Sequence, residues 1–261
     1  MAFANVEIER AGGIAHLWMN RPERHNAFGA ESIAALTGAL GELAQDDRTR
    51  VVVLAGRGAT FCAGADLAWM KAFGEAEFER NLEDARRLAE LLGRLAELPK
   101  PTIARVQGPA IGGGLGLAAA CDICVAATGA FFLASEVRLG LIPSVIGPYV
   151  VRAIGARQAS RFFLTGERID ATRAQKLGLV HEIAPPDSLD AKIGEIAASL
   201  LHGGPQALAS AKLLLREIAH RPLDDFLSED TARRIAEIRA GAEAREGVAA
   251  FLQKRPPSWR G

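Results

Sequence analysis

Apolar positions in this 261-residue chain fall first into short runs typical of strands and later into helical spacing. Val6 to Glu9 alternates and Ile14 to Met19 follows Gly12 and Gly13, which predicts a hairpin of two strands closed by a glycine turn. Ile33, Leu36, Leu40 and Leu43 recur on one face and predict a helix over 30–44. Val51 to Leu54 is wholly apolar, as expected of a strand buried on both sides. The pattern continues with a helix over 77–97, ended by Pro99 to Pro101, and a strand over 103–106. A buried strand follows within CDICVAA, then helical segments over 144–152 and 156–165. A short helix with Ala171 and Ala174, stopped by Gly178, leads to a last strand through Ile183. From Pro186 onward the spacing is helical, with breaks near 203–205 and 221–222. Strand, loop and helix thus repeat, with polar function at the strand-to-helix turns, and the class expected is α/β. The change of pattern divides an α/β core, 1–186, from a helical region, 187–261.

Composition narrows the function classes. Lysine plus arginine equals aspartate plus glutamate at 31 each, a balance that argues against a nucleic-acid or membrane-surface protein. The hydrophobic share of 49% supports a substantial core, but no apolar run is long enough to span a bilayer. The start, MAFANVEIER, has no basic region followed by an apolar one, so no signal peptide is expected. Cys62, Cys121 and Cys124 fit a reducing cytoplasm, and the C-x-x-C at 121–124 reads as packing in a buried strand rather than as a metal or redox pair.

Candidate chemistry lies in QGPAIGGGLGLAAACDICVAATGAFFLASEVRLGLIP, from Gln107 to Pro143. Gly112 to Gly114 precede a small-residue helical run, where backbone N–H groups can be aimed at a ligand. Glu136 sits among apolar neighbours, which favours a raised proton affinity and suits a general acid or base. A second glycine-rich loop, GRGATFCAGADLAWM, ends the strand at Val51 and places the N–H of Ala65 near a helix start at Asp66. Two such turns could supply convergent donors to one oxygen. The same residues have structural uses: glycines in close helix–strand packing, Glu136 in an ion pair with Arg138, and Arg24 and His25 in a solvated turn. The cluster matches neither G-x-G-x-x-G nor a phosphate-binding loop, and no G-x-S-x-G elbow or histidine metal spacing occurs.

In order along the chain, NRPERHNAF, VVVLAGRGATFCAGADL, PTIARVQGPAIGGGLGLAAACDICVAA, SEVRLGLIPS, LTGERIDATRAQKLGLVHEI and REGVAAFLQKR resemble the enoyl-CoA hydratase/isomerase (crotonase) superfamily. That resemblance implies a ClpP/crotonase-like spiral of ββα units in two sheets, with a C-terminal helical trimerisation region. It also implies a homotrimer, or a homohexamer built as a dimer of trimers. The substrate implied is an acyl-CoA thioester, with coenzyme A as part of it and no metal or redox cofactor. By the same resemblance, the N–H groups of Ala65 and Gly113 would hold the thioester oxygen, with Glu136 as acid/base. Coenzyme A contacts would fall on Arg24, His25, Ala63, Asp66 and Leu67, and on Phe251 and Lys254 near the C-terminus. Trp69, Met70, Phe73 and Phe78 are candidates for the acyl pocket.

The chain departs from the family pattern at Gly116, where typical hydratases carry a first glutamate. DLAWM and SEVRLGLIPSVIGPYVV resemble bacterial methylglutaconyl-CoA hydratases and their isohexenylglutaconyl-CoA relatives. The expectation is hydration of a branched, carboxylated enoyl-CoA such as methylglutaconyl-CoA, as in leucine breakdown. Glu136 would handle both water and α-proton, with Gly116 leaving space and the substrate's distal carboxylate assisting. The alternatives are an isomerase using Glu136 as sole base and a non-catalytic acyl-CoA-binding paralogue.

Overall fold

The computed structural model describes residues 3–219 and 221–260. β1 (Val6–Ala11) and β2 (Ile14–Met19) form the expected antiparallel hairpin, in which Ala11 pairs with Ile14. Gly12 and Gly13 take φ of 56° and 82°, the left-handed geometry a tight two-residue connection needs. The chain continues through α1 (Ala30–Gln45), β3 (Val51–Gly56), α2 (Leu67–Glu75), α3 (Phe78–Glu97) and β4 (Thr102–Val106). Then come β5 (Ala110–Ile111), α4 (Gly113–Ala120), β6 (Ile123–Ala127), β7 (Phe131–Leu133) and α5 (Gly147–Thr165). β8 (Ile169–Asp170), α6 (Ala171–Leu177) and β9 (Glu182–Ala184) end the alternating part. The rest is helical: α7 (Leu189–Leu201), α8 (Pro205–Ile218), α9 (Asp225–Ala240) and α10 (Ala242–Leu252).

Strands pair in the order β1-β2-β3-β4-β6-β9 in one sheet and β5-β7-β8 in a second. From β2 to β9 every pairing in the larger sheet is parallel. The segments β4–β5–α4 and β6–β7–α5 each send a strand to the larger sheet, a short one to the smaller, and then a helix. This is the ββα unit the resemblance implies. β5, β7 and β8 are two or three residues long and carry no legible alternation, which is why the hydrophobic pattern gives no sign of them.

β3 is buried at all six positions because both faces are covered. Val52 and Leu54 face the main core, with Ile33, Leu36, Leu40 and Leu43 of α1. Val51 and Val53 face the other way, against Leu189, Ile193 and Ala197 of α7. Each of these valines, leucines and isoleucines contributes roughly 1.5–3 kcal/mol of burial. Helical spacing does begin where expected, but its first helix covers the sheet, whereas α8, α9 and α10 bury few residues, Leu227 and Ala250 among them. The expected break is present: α5 consists of two helical halves kinked at Gly155, which takes a non-helical φ of 75°. Cys121 and Cys124 lie in the main core, where burial pushes the Cys121 thiol up to about 12 and that of Cys124 higher still.

Candidate active site

Three loops build the site, and one buried side chain anchors the first. Asn26, at φ 53°, accepts from the Arg21 N–H through Oδ1 at 2.9 Å and donates through Nδ2 to the carbonyls of Arg57 and Thr60 at 2.9 and 2.8 Å. Asparagine tolerates left-handed backbone better than most residues, and here its amide also satisfies the turn. Phe28 follows, 1% exposed, and pairs with the second loop: its N–H reaches the carbonyl of Gly64 at 2.5 Å and its carbonyl accepts from Asp66 at 2.7 Å. Because residues 64 and 66 face Phe28, the amide of Ala65 between them faces the opposite side, into the cleft.

The third loop lies against the second. Cys62 N–H bonds the Pro109 carbonyl at 3.1 Å, and Ile111 N–H bonds the Cys62 carbonyl at 2.9 Å. A Cβ on Gly64, itself at φ 85°, would stand 3.0 Å from the Ile111 carbonyl oxygen and 3.8 Å from the Gly113 nitrogen. A Cβ on Gly113 would stand 2.3 Å from the Phe28 ring. Only glycines allow the three loops to approach this closely. Gly113 opens α4, so its N–H is one of the helix's unpaired first-turn donors. Among the described residues, neither the Ala65 nor the Gly113 amide is bonded to an acceptor of the chain.

Glu136 begins a 3-10 turn, Glu136–Leu139, ended by Gly140 at φ 73°. Its Oε1 lies 3.4 Å from where a Cβ on Gly112 would stand, beside the Gly113 turn. Oε2 is buried without a hydrogen-bond partner. Burial pushes the carboxyl above its usual range, against a smaller opposing effect of its own backbone amide. No ion pair to Arg138 forms; the Arg138 side chain lies instead beside Gly166 at the end of α5. Glu136 is the only charged residue among the described ones lining an open cleft of about 200 Å³.

The structure therefore brings Ala63, Ala65, Gly113 and Glu136 to one cleft. Trp69, Met70 and Phe73 of α2 line it as expected; Phe78 does not, being 71% exposed at the start of α3. Asp66 caps α2, accepting from Trp69 N–H at 2.8 Å and pairing with Arg21 at 3.2 Å. Leu67 is exposed beside it. Arg24 and His25 are exposed on the first loop, where the His25 carbonyl accepts from Ala63 N–H at 3.0 Å and its Nδ1 meets Thr60 Oγ1 at 3.2 Å. Phe251, on α10, and Lys254, just after it at φ 54°, do not line the cleft; α10 packs on α8 and α9.

One expectation is overturned. Gly116 leaves no space: a Cβ there would meet Ile146 Cγ2 at 2.4 Å and Leu92 Cδ1 at 3.4 Å. Ile146 lines the cleft and is 3% exposed, so it screens Gly116 from the cleft. Sequence reasoning missed Ile146, thirty positions away, and missed Asn26 and Phe28. An asparagine before an apolar residue in a proline-bearing turn was the available signal for Asn26.

Comparison with known proteins fits this geometry. The family model for enoyl-CoA hydratase/isomerase matches residues 9–261. A crystal structure of an enoyl-CoA hydratase from Shewanella pealeana is 41% identical, covers 98% of this chain and 96% of its own, and superposes with a TM-score of 0.96. The 2,3-dehydroadipyl-CoA hydratase of Escherichia coli is 35% identical over 97% of this chain and 98% of its own length. An enoyl-CoA isomerase/hydratase of Mycosarcoma maydis is 34% identical over 95% of this chain and 93% of its own. With two free amides and a half-buried carboxyl lining one cleft on a two-sheet ββα frame, and matches that span nearly the whole chain, this is an enzyme of hydratase type that belongs to the enoyl-CoA hydratase/isomerase family, within the crotonase superfamily.

Proposed function

We propose that this enzyme adds water across the double bond of an α,β-unsaturated acyl-CoA, using Glu136 as its single acid/base. The observation that carries the reading is that two unbonded main-chain amides line the same cleft as a half-buried carboxyl whose Oε2 has no hydrogen-bond partner. The thioester oxygen accepts from Ala65 N–H and Gly113 N–H, which hold the negative charge that develops there as water attacks the β-carbon. Each such donor is worth roughly 10²–10³ in rate. Glu136, as the carboxylate, takes a proton from the attacking water while the hydroxyl joins the β-carbon. It then returns a proton to the α-carbon, so the product gains one water and the carboxylate is restored. Burial raises its proton affinity, which strengthens it as the base toward water and brings it nearer the balance between taking and returning a proton at neutral pH.

The acyl group proposed is a short branched one, with methylglutaconyl-CoA the specific candidate. In support, the E. coli relative is named for a 2,3-dehydroadipyl thioester, whose acyl chain also ends in a carboxylate. With Ile146 filling the wall, a distal carboxylate belongs at the open end of the cleft. Coenzyme A contacts are proposed for Arg24, His25, Ala63, Asp66 and Leu67, and for Phe251 and Lys254. Exposed apolar residues on α8, α9 and α10 support assembly as a homotrimer or a dimer of trimers.

The test follows loss of the conjugated thioester absorbance on methylglutaconyl-CoA and crotonyl-CoA, with product identification. Hydration of both at equal rates removes the role of the distal carboxylate. A lone acid in an otherwise uncharged cleft also suits a second reading, isomerisation by proton shuttling. Deuterium uptake at carbon without net hydration would favour it over the first.

A further inference from the structure

Gly116 lies three residues after Gly113 on α4, and so on the same face of the helix, one turn beyond the donor amide. Three helical residues rise about 4.5 Å, which places this part of the wall beside the first acyl carbons past the carbonyl. No side chain from α4 reaches the cleft there. The volume is taken by Ile146, the residue before α5, ten positions after Glu136 on the loop that also carries the acid. That loop is held by Leu141 N–H to the Glu136 carbonyl at 3.0 Å and Gly147 N–H to the Pro143 carbonyl at 2.9 Å. The Ile146 carbonyl accepts from Val150 N–H at 3.2 Å, inside α5. With its backbone held in this way, Ile146 can yield to pressure from α4 only through its side chain. Its Cγ2 and Cβ lie 2.4 and 3.0 Å from the position a Cβ on Gly116 would take, closer than two carbons can pack.

We propose that Gly116 and Ile146 form a matched pair that sets the width of the acyl cleft, so that selectivity at the β-carbon follows the side-chain volume the two positions share. The inference rests on the acyl-CoA reading of the cleft and adds to it the residue that sizes the acyl group. Trimming Ile146 widens the cleft. Adding a methyl at position 116 drives Ile146 toward the substrate and narrows it. Making both changes moves volume from one wall element to the other and returns the width near its starting value.

The test uses saturated thioesters, so it does not depend on which reaction the enzyme catalyses. Dissociation constants of butanoyl-CoA and 3-methylbutanoyl-CoA are measured by calorimetry for the full-length protein and its variants, with Tm alongside. Relative to wild type, Ile146→Ala is expected to shift the ratio roughly tenfold toward the branched ligand, the usual scale for one methyl in an apolar pocket. Ile146→Val, a milder change that keeps the fold, should shift it part of the way. Gly116→Ala should shift it toward the linear ligand, and the double variant should return to within about threefold of wild type, a departure from additivity. A merely structural pair would lower Tm and leave the ratio unmoved, and that result overturns the proposal. Failure of the wild-type protein to bind either thioester overturns the cleft assignment as well.

Discussion

Glu136 is a carboxyl whose surroundings favour its neutral form, and this has two separable consequences. Below the usual carboxylate range, folded and unfolded chains both carry the proton, and its burial adds no pH-dependent cost. As pH rises the unfolded chain ionises first, so stability falls until the folded carboxyl, shifted upward by burial, ionises too. Glutamine has no such dependence. The Tm of Glu136→Gln minus that of wild type is therefore expected to grow from acid toward neutral pH and then level off. A pH-independent difference would mean the carboxyl is not held apart from water. For catalysis, kcat/KM should fall on the acid side with a midpoint above the usual carboxylate range, and Glu136→Gln should lose roughly 10²–10⁴ in kcat while still binding acyl-CoA. At Gly113 the prediction is steric. The added methyl of Gly113→Ala meets the Phe28 ring at 2.3 Å, displacing the donor amide, so kcat should drop by about 10² with a lowered Tm. Wild-type kinetics in that variant would remove the Gly113 amide from the mechanism.

Among the elements that line the cleft, α2 is lightly held. It supplies Trp69, Met70 and Phe73 to the cleft but contributes no fully buried residue. Trp69 and Phe73 pack edge to face at 6.1 Å, and the start of the helix is fixed by the Asp66 cap and its pairing with Arg21. Removing an N-cap typically costs about 1 kcal/mol, enough to shift a marginal helix several-fold toward unfolding but not to unfold a domain. Asp66→Ala is therefore expected to raise KM several-fold with a change of no more than a few degrees in Tm, and Asp66→Asn, which keeps the cap acceptor, should recover most of it. An equal loss in Asn and Ala would show that the charge, through Arg21 or coenzyme A, matters more than the cap.

At the scale of the whole molecule, what could be read from the residues depended on range. The hairpin, β3, α1, α3 and the glycine stop of α6 follow from local spacing and local turn chemistry, and they stand where the pattern put them. Convergence of Ala65, Gly113 and Glu136 was carried by motif resemblance, because periodicity says nothing about contacts between turns far apart in the chain. The Ile146–Gly116 contact had neither support, since an isoleucine before a helix looks like ordinary core. The C-terminal helices were legible as helices, but their apolar residues are not consumed by this chain: Leu215, Phe226, Val248, Phe251 and Leu252 are all more than half exposed. In the proposed homotrimer or dimer of trimers, this apolar surface on three successive helices would be covered by association. Sedimentation or light scattering should therefore give a mass of three or six times 27.7 kDa at micromolar concentration. Phe226, 73% exposed on α9, is the sharpest probe. Phe226→Glu adds a charge to the face without touching the two cores, so it should shift the mass toward 27.7 kDa with an unchanged far-ultraviolet circular dichroism spectrum. Wild-type protein running as a monomer would show instead that these helices are left to solvent.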